Sequence, residues 1–166
     1  MEQTLIVFKP DSVQRGLVGE ILARFEKVGF KIVGMKMVRP DSAHFAHHYE
    51  AIGQVKTRRG EKVYENNLKS VMNGPVIAAV LEGVEAAELV RKMVGATEPK
   101  SALPGTIRGD YAHMSYPHAD AHDIVVQNLI HASGDAVEAK LEVAHWFKPD
   151  ELHSYDPVHA PFTQPQ

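Results

Sequence analysis

The chain has 166 residues, enough for one domain that buries roughly two thirds of the surface its unfolded form would expose. It has no cysteine, which excludes disulfides, thiolate metal sites and cysteine nucleophiles, and its net charge of −3 with a pI near 6.4 argues against a nucleic-acid binder, since neutralising many phosphates needs a basic surplus. No apolar run approaches membrane-spanning length, and the six residues between Glu2 and Lys9 are too few for a signal-peptide core, so a soluble, cytoplasmic protein is expected.

The apolar run "TLIVFK" stops at Pro10, which predicts a buried strand at about 4–9 followed by a turn. In "LVGEILARFEKVGF" Val18, Ile21, Leu22, Phe25 and Val28 recur at helical spacing, and Gly29 supplies the stop. A second strand, "FKIVGMKMVRP", ends at Pro40. "DSAHFAHHYEAIG" reads as a helix opening on Asp41 or Ser42, either a good cap, and closing on Gly53. A polar, basic loop in "GQVKTRRGEK" leads to a short helix expected to turn Val63, Leu68, Val71 and Met72 inward.

"PVIAAVLEG" is a third strand and "VEAAELVRKMVG" a helix ending on Gly95. From there to about 121, Pro99, Pro104, Gly105, Gly109 and Pro117 break every periodicity, and a loop is expected. Loops that long inside a compact domain are often functional. "HDIVVQNLIHA" holds the fourth strand. "DAVEAKLEVAHWF" reads as a helix with Asp135 and Glu138 in capping-box positions and Val137, Leu141, Ala144 and Phe147 inward. Residues 1–150 form the expected domain and 151–166 a tail, an extended strap or frayed end with four prolines from Pro149 onward. The order predicts an α+β, ferredoxin-like split βαβ fold: a four-stranded antiparallel sheet with helices on one face.

Chemistry concentrates in the second half of the chain. In "KSALPGTIRGD" glycines flank Thr106 and Arg108 and let backbone approach an anion closely. Arg91 and Thr97 lie just upstream. Two guanidinium groups and a hydroxyl suit a polyphosphate, because a guanidinium meets phosphate oxygens bidentately. His131 ends a buried strand, in "NLIHASGD". A neutral imidazole is a competent nucleophile toward phosphorus when its other nitrogen is held by an acceptor, and Glu142 is a candidate holder.

The segments "TLIVFKPDSVQRGLVGEILARFEKVGFKIVGMK", "GPVIAAVLEG", "PGTIRGD", "NLIHAS" and "WFKPDEL", in that order, resemble nucleoside diphosphate kinase from residue 3 to about 155. The resemblance implies His131 as the nucleophile, with Glu142 and Ser133 as partners and Tyr49 as a buttress. It implies phosphate contacts from Arg91, Thr97 and Arg108, and sugar contacts from Lys9 and Asn128. It also implies a ping-pong transfer between nucleoside triphosphates and diphosphates through phosphohistidine, and a homo-oligomer. Mg²⁺ would be carried on the nucleotide phosphates, with no metal site of the protein's own. Counting back from "NGP" puts Tyr64 and Leu68 on the two faces of the base.

The chain departs from that pattern in two lengthened segments, 53–62 and 111–125, and in Gly134, which stands where an acid is usual. A metal hydrolase built on His113, His118 and His122 is a poorer reading, because the spacing is irregular and only Asp120 and Asp123 accompany the histidines. A fold kept only as an interaction module would be expected to lose the histidine or a phosphate arginine, and neither is lost.

Overall fold

The computed structural model describes residues 1–163. Four strands, β1 (Glu2–Phe8), β2 (Lys31–Val38), β3 (Val76–Gly83) and β4 (Ile130–Ala132), form one sheet in the order β2-β3-β1-β4, with every neighbouring pair antiparallel. This is the ferredoxin-like α+β arrangement. β1 lies inside the sheet and is buried on both faces. Ile6 and Phe8 enter one apolar cluster with Ile21, Phe25 and Val90, while Leu5 and Val7 enter a second with Phe45, Val71 and Trp146.

Helices therefore cover both faces, where one helical layer was expected. α2 (Val18–Lys27) and α6 (Ala86–Val94) supply the first cluster. α3 (Ser42–Ala46), α5 (Glu61–Met72) and α9 (Ala136–Trp146) supply the second. Pro10, expected in a turn, opens the short helix α1 (Pro10–Gln14) at the one position where a missing N–H costs no hydrogen bond.

The helix expected over 41–53 changes type part-way. Asp41 caps α3 by accepting from the His44 N–H at 2.8 Å, and the chain then widens into a π-helix over His47–Ile52, with the Gly53 N–H donating five residues back to His48. Such single-turn bulges collect at functional sites, and this one buries His48 and Tyr49. The expected basic loop contains a helix, α4 (Val55–Arg59), whose start is held by the Glu50 carboxylate accepting from Lys56 N–H and the Thr57 hydroxyl. The stretch from 96 to 121 is likewise structured, with a 3₁₀ turn at Pro99–Ser101 and two helices, α7 (Ile107–Tyr111) and α8 (Tyr116–Ala121), capped by Thr106 and Ser115.

The fourth strand is much shorter than expected. Leu129 sits at φ +71°, a left-handed conformation that no strand can pass through, so pairing begins only at Ile130. α9 is rotated from its expected orientation: Val137, Leu141 and Ala144 face outward, and Ala139, Glu142, Val143 and Trp146 form the buried stripe. In α5, Val63 and Met72 are likewise exposed and Val71 is buried. The described part of the tail is a strap: the His153 N–H donates to Val33, Tyr155 Oη to Ile32, and Lys36 pairs with Glu151. α10 (Ala160–Thr163) ends the described chain.

One edge of the Phe30 ring lies against Gly83 at the end of β3, where a Cβ would come within 2.7 Å of two ring carbons. Phe30 is itself wedged edge-on against Phe25 and has little room to yield. Gly83→Ala is expected to destabilise the protein by about 1–3 kcal/mol, the range for overpacking a closed core. A denaturation midpoint unchanged from wild type would show that the ring can slide.

Candidate active site

β4 carries His131 opposite Val7 of β1, and the chain enters it through a tightly held turn. The Leu129 carbonyl accepts from the Lys9 N–H and from Ser12 Oγ, both at 2.8 Å, and the Leu129 N–H donates to Asp11 Oδ2 at 3.0 Å. The Arg108 guanidinium is buried and donates to three carbonyls, those of Asn128, Gly95 and Ile130. Leu129, fully buried, is thereby held in a conformation that a branched side chain avoids.

The His131 ring, about one fifth exposed, turns Nε2 toward Glu142, 2.9 Å from one carboxylate oxygen and 3.0 Å from the other. Glu142 reaches it from the buried face of α9. Ser133 Oγ donates to the same carboxylate at 2.6 Å and accepts from the Leu5 N–H, which ties the acid to β1. A carboxylate only accepts, so Nε2 carries the proton and the lone pair is on Nδ1.

His48 lies beside this pair, buried, with its ring edge-on to His131 at 4.5 Å. Trp146 Nε1–H donates to His48 Nδ1 at 3.2 Å, so that nitrogen is unprotonated and its 3.5 Å approach to Glu142 is not an ion pair. Burial, and then the neighbouring His131, hold the His48 pKa well below the usual histidine value. His48, His131 and Glu142 are the described residues whose ligand atoms lie within metal-binding reach of one another. An ion there would have to break both the Trp146 and the Glu142 contacts. Burial, and then Glu142, push the Tyr49 hydroxyl upward, which keeps it a neutral donor.

A cavity of about 490 Å³, within the range of small-molecule sites, opens in front of His131. It brings together Lys9, Tyr49, Arg91, Thr97, Arg108, Asn128 and Glu142, with Ser133 buried beneath. Lys9 Nζ donates to Asn128 Oδ1 at 2.7 Å, and Asn128 Nδ2 donates to the Thr97 carbonyl. Desolvation, and then Arg108, lower the Lys9 pKa to about 8, while Asp11 opposes them. Desolvation and then Arg91 bring Arg108 to about 10.

Tyr64 and Leu68 do not belong to this cavity. Both pack against the second apolar cluster, and Val63, Asn66 and Asn67 line the cavity in their place. A count wrong by one residue rotates a helical position by about 100°. Arg58, Arg59 and Lys62, in a segment expected from the sequence to be a basic loop, also line the cavity; a paired arginine in a basic run is the signal for them. Asp135 does not stand in for the acid missing at Gly134: its carboxylate caps α9, accepting from Val137 and Glu138, while Glu138 accepts from the Gly134 N–H.

The nucleoside diphosphate kinase family model matches residues 2–152. The chain belongs to the nucleoside diphosphate kinase family. It is 42% identical over 155 residues to the enzyme of Borreliella burgdorferi, covering 93% of this chain and 92% of that one. It is 45% identical over 155 residues to that of Pyrococcus furiosus, covering 93% and 88%. Among solved structures, a Borrelia burgdorferi nucleoside diphosphate kinase with bound vanadate and ADP, a transition-state mimic, matches with TM-score 0.93 at 40% identity over 98% of this chain and 96% of that one. The Halobacterium salinarum enzyme in complex with CDP matches with TM-score 0.82 at 36% identity over 97% of each. The protein is thus a nucleoside diphosphate kinase, a nucleotide-binding phosphotransferase. No helix among the described residues is long and apolar enough to cross a membrane.

The lowered Lys9 pKa has a sign that can be tested. Between pH 8 and 10.5 the unfolded chain, with an ordinary lysine, binds more protons at this residue than the folded one, so the Lys9 contribution to stability rises with pH across that window. The stability of wild type minus that of Lys9→Met is expected to climb from pH 8 to 10.5, read from denaturant midpoints. Parallel pH profiles would show that Lys9 is not desolvated.

Proposed function

We propose that this kinase works by a ping-pong mechanism through phosphohistidine at His131. The observation that carries the reading is the Glu142 contact at Nε2, which leaves Nδ1 as the ring's basic nitrogen on a residue that lines a cationic cavity. In the first half-reaction the Nδ1 lone pair forms a bond to the γ-phosphorus of a nucleoside triphosphate, usually ATP. The bond from that phosphorus to the bridging oxygen breaks, and its electron pair leaves with the nucleoside diphosphate. In the second, a terminal β-phosphate oxygen of another diphosphate attacks the phosphohistidine, and Nδ1 recovers its pair. Such a cycle supplies the cell's non-ATP nucleoside and deoxynucleoside triphosphates.

Each residue then has a physical task. Glu142 stabilises the positive charge that develops on the imidazole, and Ser133 keeps the carboxylate aimed. Arg91, Arg108, Thr97 and Lys9 bind phosphate oxygens, and catalysis is mostly this positioning and charge neutralisation. Asn128 and Lys9 hold the sugar end, and Tyr49 supports the His131 ring. Arg58 and Arg59 extend the cationic lining toward the mouth.

Mg²⁺ fits this site when carried on the phosphates. The acid nearest His131 is committed to His131 and Ser133, and the other carboxylates lining the cavity are engaged elsewhere, Asp135 at the start of α9, Glu138 on the Gly134 N–H and Asp120 on Lys62, so that among the described residues they form no carboxylate cage. The ion's contribution is to neutralise charge on the phosphate oxygens.

Self-association is part of the same reading. β2 is an edge strand that exposes Met35 and Met37 by more than half, an apolar edge suited to a second copy. We further place the enzyme in the cytoplasm, with residues 1–150 as the catalytic domain and 151–166 as its tail.

His131→Ala should abolish transfer while nucleotide affinity stays within a few fold, since the imidazole makes the bond but adds little to ground-state binding. Glu142→Gln should slow phosphorylation by roughly 10- to 1000-fold. Incubation with γ-labelled ATP should give a label on wild type that is acid-labile and alkali-stable. Normal labelling of His131→Ala would remove the nucleophile assignment, and normal labelling rates for Glu142→Gln would reduce Glu142 to a packing residue.

A further inference from the structure

The two lengthened segments meet across the mouth of the cavity. α5 contributes Val63, Asn66 and Asn67 to the cavity lining from one helical face, and α8 with the following residues contributes Tyr116, Ala119 and Ile124. Lys62 and Asp120 join the two sides at 2.9 Å, but both are well exposed, so the pair adds little stability and leaves the mouth free to open. The phosphate-binding cations lie deeper, around His131. A bound nucleotide with its phosphates there projects its base toward this mouth.

A base needs a flat, apolar surface, and Tyr64, the ring expected from the sequence to offer one, packs against the second apolar cluster. Apart from the imidazoles, the aromatic rings lining the cavity are Tyr49 and Tyr116. Tyr49 is buried against Phe45 and has no free face for a ligand. Tyr116 is 44% exposed. Its backbone is firmly held all the same: its N–H donates to the Glu98 carboxylate at 2.9 Å, Ser115 caps α8 just before it, and Pro117 follows. An exposed ring on an anchored backbone loses little conformational freedom when a ligand stacks on it. Tyr116 lines the same cavity as Arg108 and Asn128.

We propose that Tyr116 supplies the aromatic wall of the nucleobase subsite, opposite aliphatic Val63, so that this enzyme takes its stacking ring from the lengthened segment 111–125 and not from α5. The proposal rests on the nucleotide reading of the cavity given above. Stacking is blind to the identity of the base, so the arrangement suits an enzyme that must accept purines and pyrimidines alike.

The test compares wild type, Tyr116→Ala and Tyr116→Phe in two assays. The first is equilibrium binding of ADP, GDP and CDP. The second is labelling of His131 by phosphoramidate, a phosphoryl donor that carries no base. Tyr116→Ala is expected to weaken every diphosphate by roughly 5- to 100-fold, more for the purines, while phosphoramidate labelling stays at the wild-type rate. Tyr116→Phe keeps the ring and should bind within about threefold of wild type, a loss below the weakest stacking contribution. Wild-type affinities in Tyr116→Ala would overturn the proposal. So would an equal loss in Tyr116→Phe, which would mean that the hydroxyl and not the ring face binds, or a parallel loss of phosphoramidate labelling, which would place the residue at the histidine. Failure of wild type to be labelled by either ATP or phosphoramidate would instead overturn the kinase mechanism, and the binding assay reads the ring separately from that outcome.

Discussion

The site depends on one strained residue. Leu129 is held at φ +71° because the hydrogen-bonding groups around it are over-determined. The Lys9 N–H and Ser12 Oγ take its carbonyl, Asp11 takes its N–H, and Arg108 gathers the carbonyls on either side. A left-handed non-glycine residue costs of order 1–3 kcal/mol, and the buried hydrogen bonds to charged groups offset it. The turn bends the chain so that Asn128 meets Lys9 while His131, three residues on, enters β4 beside Val7. Without the kink a straight strand would alternate these side chains across the sheet, and 128 and 131 would point to opposite faces.

Arg108 links this turn to the chemistry. Three of its contacts are to backbone carbonyls, so it acts as a bolt as well as a cavity-lining cation. Glu142 has the same double character. A buried acid is tolerable only when its oxygens are satisfied, and here Ser133 and His131 satisfy them at 2.6 and 2.9 Å. Replacing either partner would leave a desolvated acceptor in the core, so the contacts that orient the imidazole are also those that make the acid's burial affordable.

How legible this was in the sequence differs from element to element. The strands β1 and β3 are continuous apolar runs and read correctly, and the site residues embedded in long ordered motifs, such as Lys9, Arg91, Arg108 and His131, converge in space. α9 misled for a physical reason: its buried stripe contains an acid at its centre, and a periodicity search that counts only apolar residues slides to Val137 and Leu141, which are 73% and 52% exposed. The short fourth strand misled because nothing in "QNLIHA" signals a positive φ at a leucine. Tyr64 misled because the count back from "NGP" is out by one residue, and a single position decides whether a helical side chain faces the core or the cavity.

The cations of the cavity are arranged against their own electrostatic interest. Lys9 and Arg108 are desolvated and repel each other, and Arg91 adds to the burden on Arg108, which is why the lysine sits near pKa 8 and the arginine near 10. The folded protein carries that repulsion because backbone carbonyls and Asn128 hold the side chains where they are. Under the proposed mechanism a polyphosphate in the cavity would remove the repulsion and add attraction, with no reorganisation of the donors. On the proposed mechanism the same charges that weaken the free fold would favour the ligand-bound one, because a ligand that binds only the native state stabilises it by mass action.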